Sequence, residues 1–190
     1  IPAANTSGMD YSYDAEDDQG IQWVMSQNTH KGTPDGDSID RFTVGSPAFY
    51  AEMTFTITDV SDTDDCLFGF RKVEAMQVAV DNYDEMAAFN IISGDINTET
   101  IINGAATVTT DLTTGGGDGA GNWADGGSHK VGVYVDAAGA VTYKIDGRAP
   151  TGAVAYSFDG SEVVTPFFYL IHADDSTAGV ILQKLTVGRQ

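Results

Sequence analysis

Two runs of alternating apolar residues, joined by a short turn, constrain the fold of this chain more than any other feature. The stretch VGVYVDAAGAVTYKIDG covers residues 131–147, and valine, tyrosine or isoleucine recurs at every second position of each run. A period of two places these side chains on one face of a half-buried strand. The turn at residues 136–139 combines an aspartate with a glycine, which supplies the positive φ that an antiparallel return requires. The segment therefore predicts a β-hairpin.

The same periodicity predicts strands along most of the chain. Residues 49–60 give the longest alternation, with apolar side chains on one face and threonines on the other. Shorter strands are predicted at residues 20–26, 41–44, 66–72, 73–80, 86–92, 153–158, 163–172 and 179–187, with one or two exposed strands within 98–112. Residues 73–80 also fit a short helix, and the glycine-rich residues 113–127 fit a loop. Short strands separated by turn residues indicate an antiparallel β-sandwich or barrel.

The length of 190 residues fits one domain. Residues 1–19 are polar, acidic and aperiodic, so we interpret them as an N-terminal arm ahead of a single β-sandwich domain at residues 20–190. Arms of this kind often tie subunits together in assemblies. This division predicts that the arm contacts a neighbouring subunit.

The charge balance excludes two classes of partner. The chain has 9 basic and 28 acidic residues and a formal net charge of −19. Phosphate backbones and anionic membranes repel such a surface, so we expect neither nucleic acid nor a membrane as partner. The acidity fits a saline environment, divalent cations or a basic partner.

The sequence offers no arrangement for zinc or nucleophilic catalysis. His30, His129 and His172 stand apart, without the spacings that zinc sites use. Cys66 lies beside leucine and phenylalanine and is interpreted as a buried packing residue. The chain also lacks a G-x-S-x-G elbow.

Glycosidase chemistry needs two carboxylates that face one another across a groove. Glu74 and Asp81 are seven positions apart and would point to opposite faces of a regular strand. Asp84 and Glu85 are adjacent and would diverge as well. The sequence therefore predicts a protein that is not an enzyme.

Two kinds of binding site remain open. Acidic turns at residues 62–65, 81–85 and 174–175 carry the oxygen ligands that calcium prefers, although solvated acidic turns are the favoured explanation. Asn122, Trp123 and Asp125 bring an aromatic ring, an amide and a carboxylate together at the end of the glycine-rich loop. These three residues are candidate contacts for a glycan or a partner protein, whereas the alternative is that Trp123 folds back over the core.

Three stretches carry a resemblance to a known family. They are the long strand running into CLFGF (residues 49–70), SHKVGVYVDAAGAVTYKIDG (128–147) and VVTPFFYLIHADDSTAGVILQKLTVG (163–188). Their order resembles the LamG-like jelly-roll domains of the concanavalin A-like lectin/glucanase superfamily. This resemblance implies an all-β fold, an antiparallel jelly-roll β-sandwich.

The chain also looks like concanavalin-type structural proteins of tailed phages from marine environments. That resemblance implies a non-enzymatic virion protein on the capsid surface, which decorates or cements the capsid or forms a knob. Its partners would be the major capsid protein or other virion subunits, and it would assemble as a homo-oligomer. The alternative is an extracellular lectin-like module, calcium-dependent or without a cofactor, that binds cell-surface glycans.

Overall fold

A computed structural model gives the structure of the chain. It describes residues 3–5, 8–12, 20–24, 41–45, 47–61, 63–75, 77, 79–112, 122–172 and 179–190. Within these residues, no helix is both long enough and apolar enough to span a membrane.

The described residues form two antiparallel sheets packed face to face. The six-stranded sheet has the order β1 (Ala3–Asn5), β2 (Gly8–Ser12), β13 (Gly179–Arg189), β5 (Phe49–Ile57), β10 (Ser128–Val135), β11 (Val141–Ile145). The seven-stranded sheet has the order β3 (Gly20–Val24), β12 (Val163–His172), β6 (Thr63–Lys72), β7 (Met86–Ile92), β8 (Asp95–Ile101), β9 (Val108–Asp111), and β4 (Phe42–Thr43) also pairs with β12. The predicted antiparallel jelly-roll β-sandwich is confirmed.

The predicted hairpin is formed by β10 and β11, whose register runs from Val131 opposite Ile145 to Val135 opposite Val141. Asp136 Oδ1 accepts hydrogen bonds from the backbone N–H groups of residues 138 and 140, at 2.8 and 2.9 Å. Gly139 has a φ of +92°, which a residue with a side chain adopts only with strain. The turn therefore depends on the two residues that the sequence singled out.

The core lies between the sheets and is rich in aromatic rings. Along β5, buried and half-buried residues alternate over all nine positions, as the period of two predicts. Phe49 of β5 meets Phe70 of β6 edge to face, with ring centroids 5.1 Å apart. Cys66 is fully buried beside these rings, and burial raises the pKa of its thiol. Its interpretation as a packing residue is confirmed.

Two predicted strands are wrong. Residues 73–75, 77 and 79 lie outside the strands and precede a short 3-10 helix, Val80–Asn82, because Val80 and Tyr83 bury their side chains on the outer face of the seven-stranded sheet. The guanidinium of Arg71 lies 4.7 Å from the ring centroid of Tyr83 and helps to hold this segment down. Residues 153–158 form only an isolated bridge between Ser157 and Ala140.

The N-terminal segment contributes to the six-stranded sheet. Strand β2 pairs with β13, and β1 pairs with β2 at the edge of the sheet. Residues 13–19 and 25–40 lie outside the described residues, as does most of the glycine-rich loop. The boundary between an arm at 1–19 and a domain at 20–190 stays a prediction.

Truncation of Phe55 tests the central packing of the sandwich. This side chain is fully buried, with its ring centroid 6.2 Å from that of Phe168 on the opposite sheet. We expect Phe55→Ala to lower the free energy of unfolding by about 3–5 kcal/mol, because it leaves a cavity between the sheets. Urea denaturation measures the change. Thr54→Ala, on the outer face of the same strand, should stay within about 0.5 kcal/mol of the wild type, and equal losses in both variants would contradict the assignment.

Candidate functional site

The predicted aromatic platform at Trp123 is part of the core. The Trp123 side chain is 1% exposed, and its ring centroid lies 4.5 Å from that of Phe55. Its indole N–H donates to the carbonyl of Gly127 at 3.0 Å. The alternative interpretation, that Trp123 folds back over the core, is confirmed, and its ring is not available for stacking on a sugar.

The neighbours of Trp123 lie at the surface. Asn122 is exposed, and Asp125 Oδ1 accepts a hydrogen bond from the backbone N–H of Val60 at 2.9 Å. The carboxylate of Asp125 thus fastens the end of the loop to the turn after β5. A contact of Asn122 or Asp125 with a glycan or a partner stays a prediction.

In the described part of the chain, the calcium candidates Asp64, Asp65 and Asp81 approach one another at a pocket, but their carboxylates are not arranged around a metal ion. Within this part of the chain, no group of three or more His, Cys, Asp or Glu side chains is arranged to hold a metal ion. His129 Nδ1 instead pairs with Asp146 Oδ2 at 2.8 Å. Asp62, Asp174, Asp175 and His30, with the side chain of His172, lie outside the described residues, and calcium binding stays a prediction.

A pocket of about 590 Å³ lies on the outer face of the seven-stranded sheet. We call it the acidic pocket, because four carboxylates face it and, among the described residues, no Lys, Arg or His lines it. Its walls come from β6, the 3-10 helix, β8, β9 and β12. The lining residues are Asp64, Asp65, Ala79, Val80, Asp81, Glu99, Thr107, Thr109 and Ile171.

Strand register brings these polar side chains to one place. Asn90 of β7 lies opposite Asn97 of β8, and Glu99 of β8 lies opposite Thr109 of β9. Because residues two apart share a face of the sheet, Asn97 and Glu99 project to the same side. That side is turned away from the core, where polar groups can line a pocket.

Hydrogen bonds hold the two inner carboxyl groups. The Asn90 amide N–H donates to Asp65 Oδ1 at 2.5 Å, and the Asn90 side chain also acts to lower the pKa of Glu99. The Asn90 carbonyl oxygen accepts the backbone N–H of Cys66 at 2.9 Å, which fixes the orientation of the amide. Thr109 donates its hydroxyl to Glu99 Oε1 at 3.1 Å. Both carboxyl groups are therefore positioned before any ligand arrives.

Burial raises the pKa of both inner carboxyl groups. For Asp65 the main cause is loss of water, and the charges of Asp64 and Asp81 add to it. For Glu99 the main cause is again burial, followed by the charge of Asp65. Hydrogen bonds from Asn90 oppose the shift in both cases. Ionisation of Asp65 or Glu99 therefore lowers the stability of the folded protein. The neutral isosteres asparagine and glutamine would not carry this cost.

Sequence reasoning missed Asn90 and Glu99. It treated residues 98–112 as exposed, whereas Glu99 is only 6% exposed and Asn90 is fully buried. The available signal was the alternation of Asn97 and Glu99 with Ile96 in β8, which shows a polar face opposite a buried one. Of the glycosidase candidates, only Asp81 lines the pocket. Glu74 instead accepts the backbone N–H of Asp84 at 2.9 Å.

Comparison with known proteins identifies the fold. No protein-family model matches the sequence, and no curated protein matches it. The carbohydrate recognition domain of Emp47p matches with a TM-score of 0.64 at 11% identity, covering 99% of this chain and 85% of that one. A legume lectin-like domain from Entamoeba histolytica matches with a TM-score of 0.63 at 7% identity, covering 100% and 87%. An alginate lyase from Pseudomonas aeruginosa matches with a TM-score of 0.53 at 12% identity, covering 100% and 86%.

These identities are too low to show more than the fold. The chain has the jelly-roll β-sandwich fold of these lectin-like neighbours, which agrees with the fold that the family resemblance implied. Both lectins and lyases are found among the proteins that share this fold. The fold therefore does not specify a function, which must be argued from the pocket.

The raised pKa values predict a pH-dependent stability. A carboxyl group whose pKa is raised by folding contributes stability that is fully present below its ordinary pKa and is lost as the pH rises through the folded value. We therefore expect Glu99→Gln to gain stability relative to the wild type as the pH rises above the ordinary glutamate value of 4.5. Thermal unfolding between pH 4 and pH 8 measures this difference. The exposed Asp95→Asn should show no such trend, and a constant offset for Glu99→Gln would contradict the prediction.

Proposed function

We propose that this chain is a non-catalytic carbohydrate-binding module that holds a neutral saccharide in the acidic pocket. One observation carries the proposal: two buried carboxyl groups, Asp65 and Glu99, are held in place by Asn90 and Thr109 and face a pocket of about 590 Å³. Pockets of this size suit small ligands, and a few positioned polar groups give such sites their specificity. The lectin-like fold supports the same function.

The chemistry of the lining selects the ligand. Sugar hydroxyls donate hydrogen bonds, and ionised carboxylates accept them in charge-assisted bonds that are about twice as strong as neutral ones. Asp64, Asp65, Asp81 and Glu99 supply four such acceptors. The same four charges repel the carboxylates of a polyuronate, because no cation among the described residues lines the pocket. A neutral saccharide fits this lining better than an acidic one.

The ionisation behaviour of the pocket favours binding over catalysis. Catalytic pairs work because their surroundings push the two pKa values apart, so that one group is an acid while the other is a base. Here burial raises the pKa of Asp65 and that of Glu99 in the same direction. Asn90 bonds Asp65 and Thr109 bonds Glu99, which ties both groups to the protein. Such a pair provides positioned acceptors, and its surroundings do not raise one pKa while lowering the other.

The capsid-decoration role remains a prediction that rests on the family resemblance. It includes the expected contacts with a major capsid protein, assembly as a homo-oligomer and location on the virion. The lectin-like neighbours favour the carbohydrate-binding alternative.

Glycan binding by pocket variants tests the proposal. A panel of neutral and acidic oligosaccharides is screened first, and titration calorimetry follows with the best neutral ligand. We expect Glu99→Gln to weaken binding at least about tenfold, because a charge-assisted hydrogen bond is lost. Asp95→Asn changes the net charge equally on an exposed position outside the pocket lining and should bind like the wild type. The proposal would be contradicted if no neutral glycan bound. It would also be contradicted if new reducing ends accumulated on long incubation, because these would show that the chain cleaves the sugar.

Binding should also depend on pH. Only ionised carboxyl groups make the charge-assisted bonds, and the pKa values of Asp65 and Glu99 lie above the ordinary values of 3.8 and 4.5. We therefore expect affinity for the neutral ligand to fall as the pH is lowered from 7.5 towards 4. Thr109→Val removes the hydroxyl that bonds Glu99 and should move the midpoint of this profile upwards. An affinity that is constant over this range would contradict the assignment of these two groups.

A further inference from the structure

The outer face of the six-stranded sheet carries a second, chemically opposite surface. Strand register places Tyr50 of β5 beside Tyr134 of β10. Lys130 of β10 and Lys184 of β13 lie on either side of Thr54, which is four residues along β5 from Tyr50. Lys144 of β11 lies opposite Gly132 of β10. We call this surface the tyrosine–lysine face, consisting of Tyr50, Tyr134, Lys130, Lys144 and Lys184.

The two tyrosine rings pack against the backbone of two neighbouring glycines. A methyl group on Gly132 would come within 2.9 Å of the Tyr134 ring, and one on Gly188 within 3.1 Å of the Tyr50 ring. The rings thus occupy the space that side chains at these glycines would fill. Their planes differ by 18° and their centroids are 5.8 Å apart. With glycine beneath and both residues half-buried, the rings form a platform whose upper side is turned to solvent.

Lysine side chains surround this platform. The ammonium of Lys144 lies 4.6 Å from the centroid of Tyr134, and Lys184 is exposed. Among the described residues, neither has an ion-pair partner. Lys130 is paired with Glu52, whose Oε1 lies 2.9 Å away and also accepts the hydroxyl of Tyr134. Three of the chain's 9 basic residues thus meet on one face of a protein with a net charge of −19.

We propose that the tyrosine–lysine face binds a short acidic saccharide. The apolar C–H side of a sugar ring packs on the ring of Tyr50, and its carboxylate or sulfate meets the ammonium group of Lys144, which lies over the Tyr134 ring, and that of Lys184. Tyrosine suits this task because it combines a large flat surface with few rotatable bonds. The ligand class is thus the opposite of the one that the acidic pocket takes.

Charge distribution limits the length of the ligand. At physiological salt, interactions between exposed charges fade over about 8 Å. A ligand with one or two anionic groups on the face therefore experiences mainly the nearby lysines. A long polyanion, including single-stranded nucleic acid, would extend beyond the lysines onto an acidic surface that repels it. A short saccharide is favoured for this reason.

Matched ligands test the charge requirement. Trigalacturonate and its trimethyl ester have the same sugar rings but differ in charge, and a sulfated chondroitin disaccharide carries both a carboxylate and a sulfate. We expect the full chain to bind trigalacturonate at least about tenfold more tightly than the ester, with affinity falling as salt rises. We expect the disaccharide to compete with trigalacturonate for the face. Equal binding of acid and ester would overturn the proposal.

Matched variants test the location. Lys144→Gln and Lys184→Gln should each weaken binding about threefold to tenfold, whereas Lys72→Gln makes the same charge change on the seven-stranded sheet and should have no effect. Tyr50→Leu should weaken binding while keeping the fold, as circular dichroism verifies. Glu52→Gln removes the carboxylate on this face and should strengthen binding. An equal loss in Lys72→Gln, or no loss in either lysine variant of the face, would overturn the assignment.

Competing occupants give distinct results. Displacement of trigalacturonate by a short single-stranded oligonucleotide of higher affinity would replace the saccharide by nucleic acid and overturn the proposal. Sedimentation that shows self-association abolished by Lys144→Gln, without saccharide binding, would assign the face to a second copy of the chain. Glu99→Gln should leave acidic-saccharide binding unchanged, so failure at this face and failure of the acidic pocket are observed separately.

Discussion

Aromatic packing between the two sheets is the contact on which the rest of the molecule depends. Phe49 meets Phe70 and Phe89 meets Tyr143, with ring centroids 5.1 and 5.3 Å apart across the sandwich. Because these rings must face inward, every intervening residue of the same strands is committed to an outer face. The core therefore decides which polar residues can meet at the surface, including Glu99, although the core makes no direct contact with a ligand.

The outer faces of the two sheets differ in shape and carry side chains of opposite charge. On the seven-stranded sheet, the segment around Val80 and Tyr83 covers part of the face and leaves a recess in which carboxyl groups are partly withdrawn from water. On the six-stranded sheet, glycines at positions 132 and 188 leave the surface low, and aromatic rings and lysines lie across it. One sandwich thus presents a recessed anionic site and a flat cationic one. Loss of water matters most for the first, and screening by salt matters most for the second.

The sequence predicted those features of the fold that depend on residues close together in the chain. The alternation in β5 and the Asp–Gly turn of the hairpin were sufficient to predict strands and the sandwich class, and the apolar neighbours of Cys66 were sufficient to predict its burial. The pocket depends instead on which strands are neighbours, and Asp65, Asn90 and Glu99 are brought together by register over more than thirty positions of sequence. Residues 73–80 were assigned to a strand because their apolar content is strand-like. Val80, at the end of this segment, packs with Tyr83 on the outside of a sheet, a tertiary effect that periodicity does not contain.

The reactivity of the Cys66 thiol reports whether the two sheets of the folded protein are still packed together. Cys66 is the single cysteine of the chain, it lies in β6 at the centre of the seven-stranded sheet, and its side chain is fully buried. A thiol in this position reacts with alkylating reagents only when the sheets separate, since thiolate formation requires water. The rate of its modification therefore follows opening of the sandwich itself, independently of either ligand surface. A spectroscopic label on this thiol would, by the same logic, report only on molecules that have already opened.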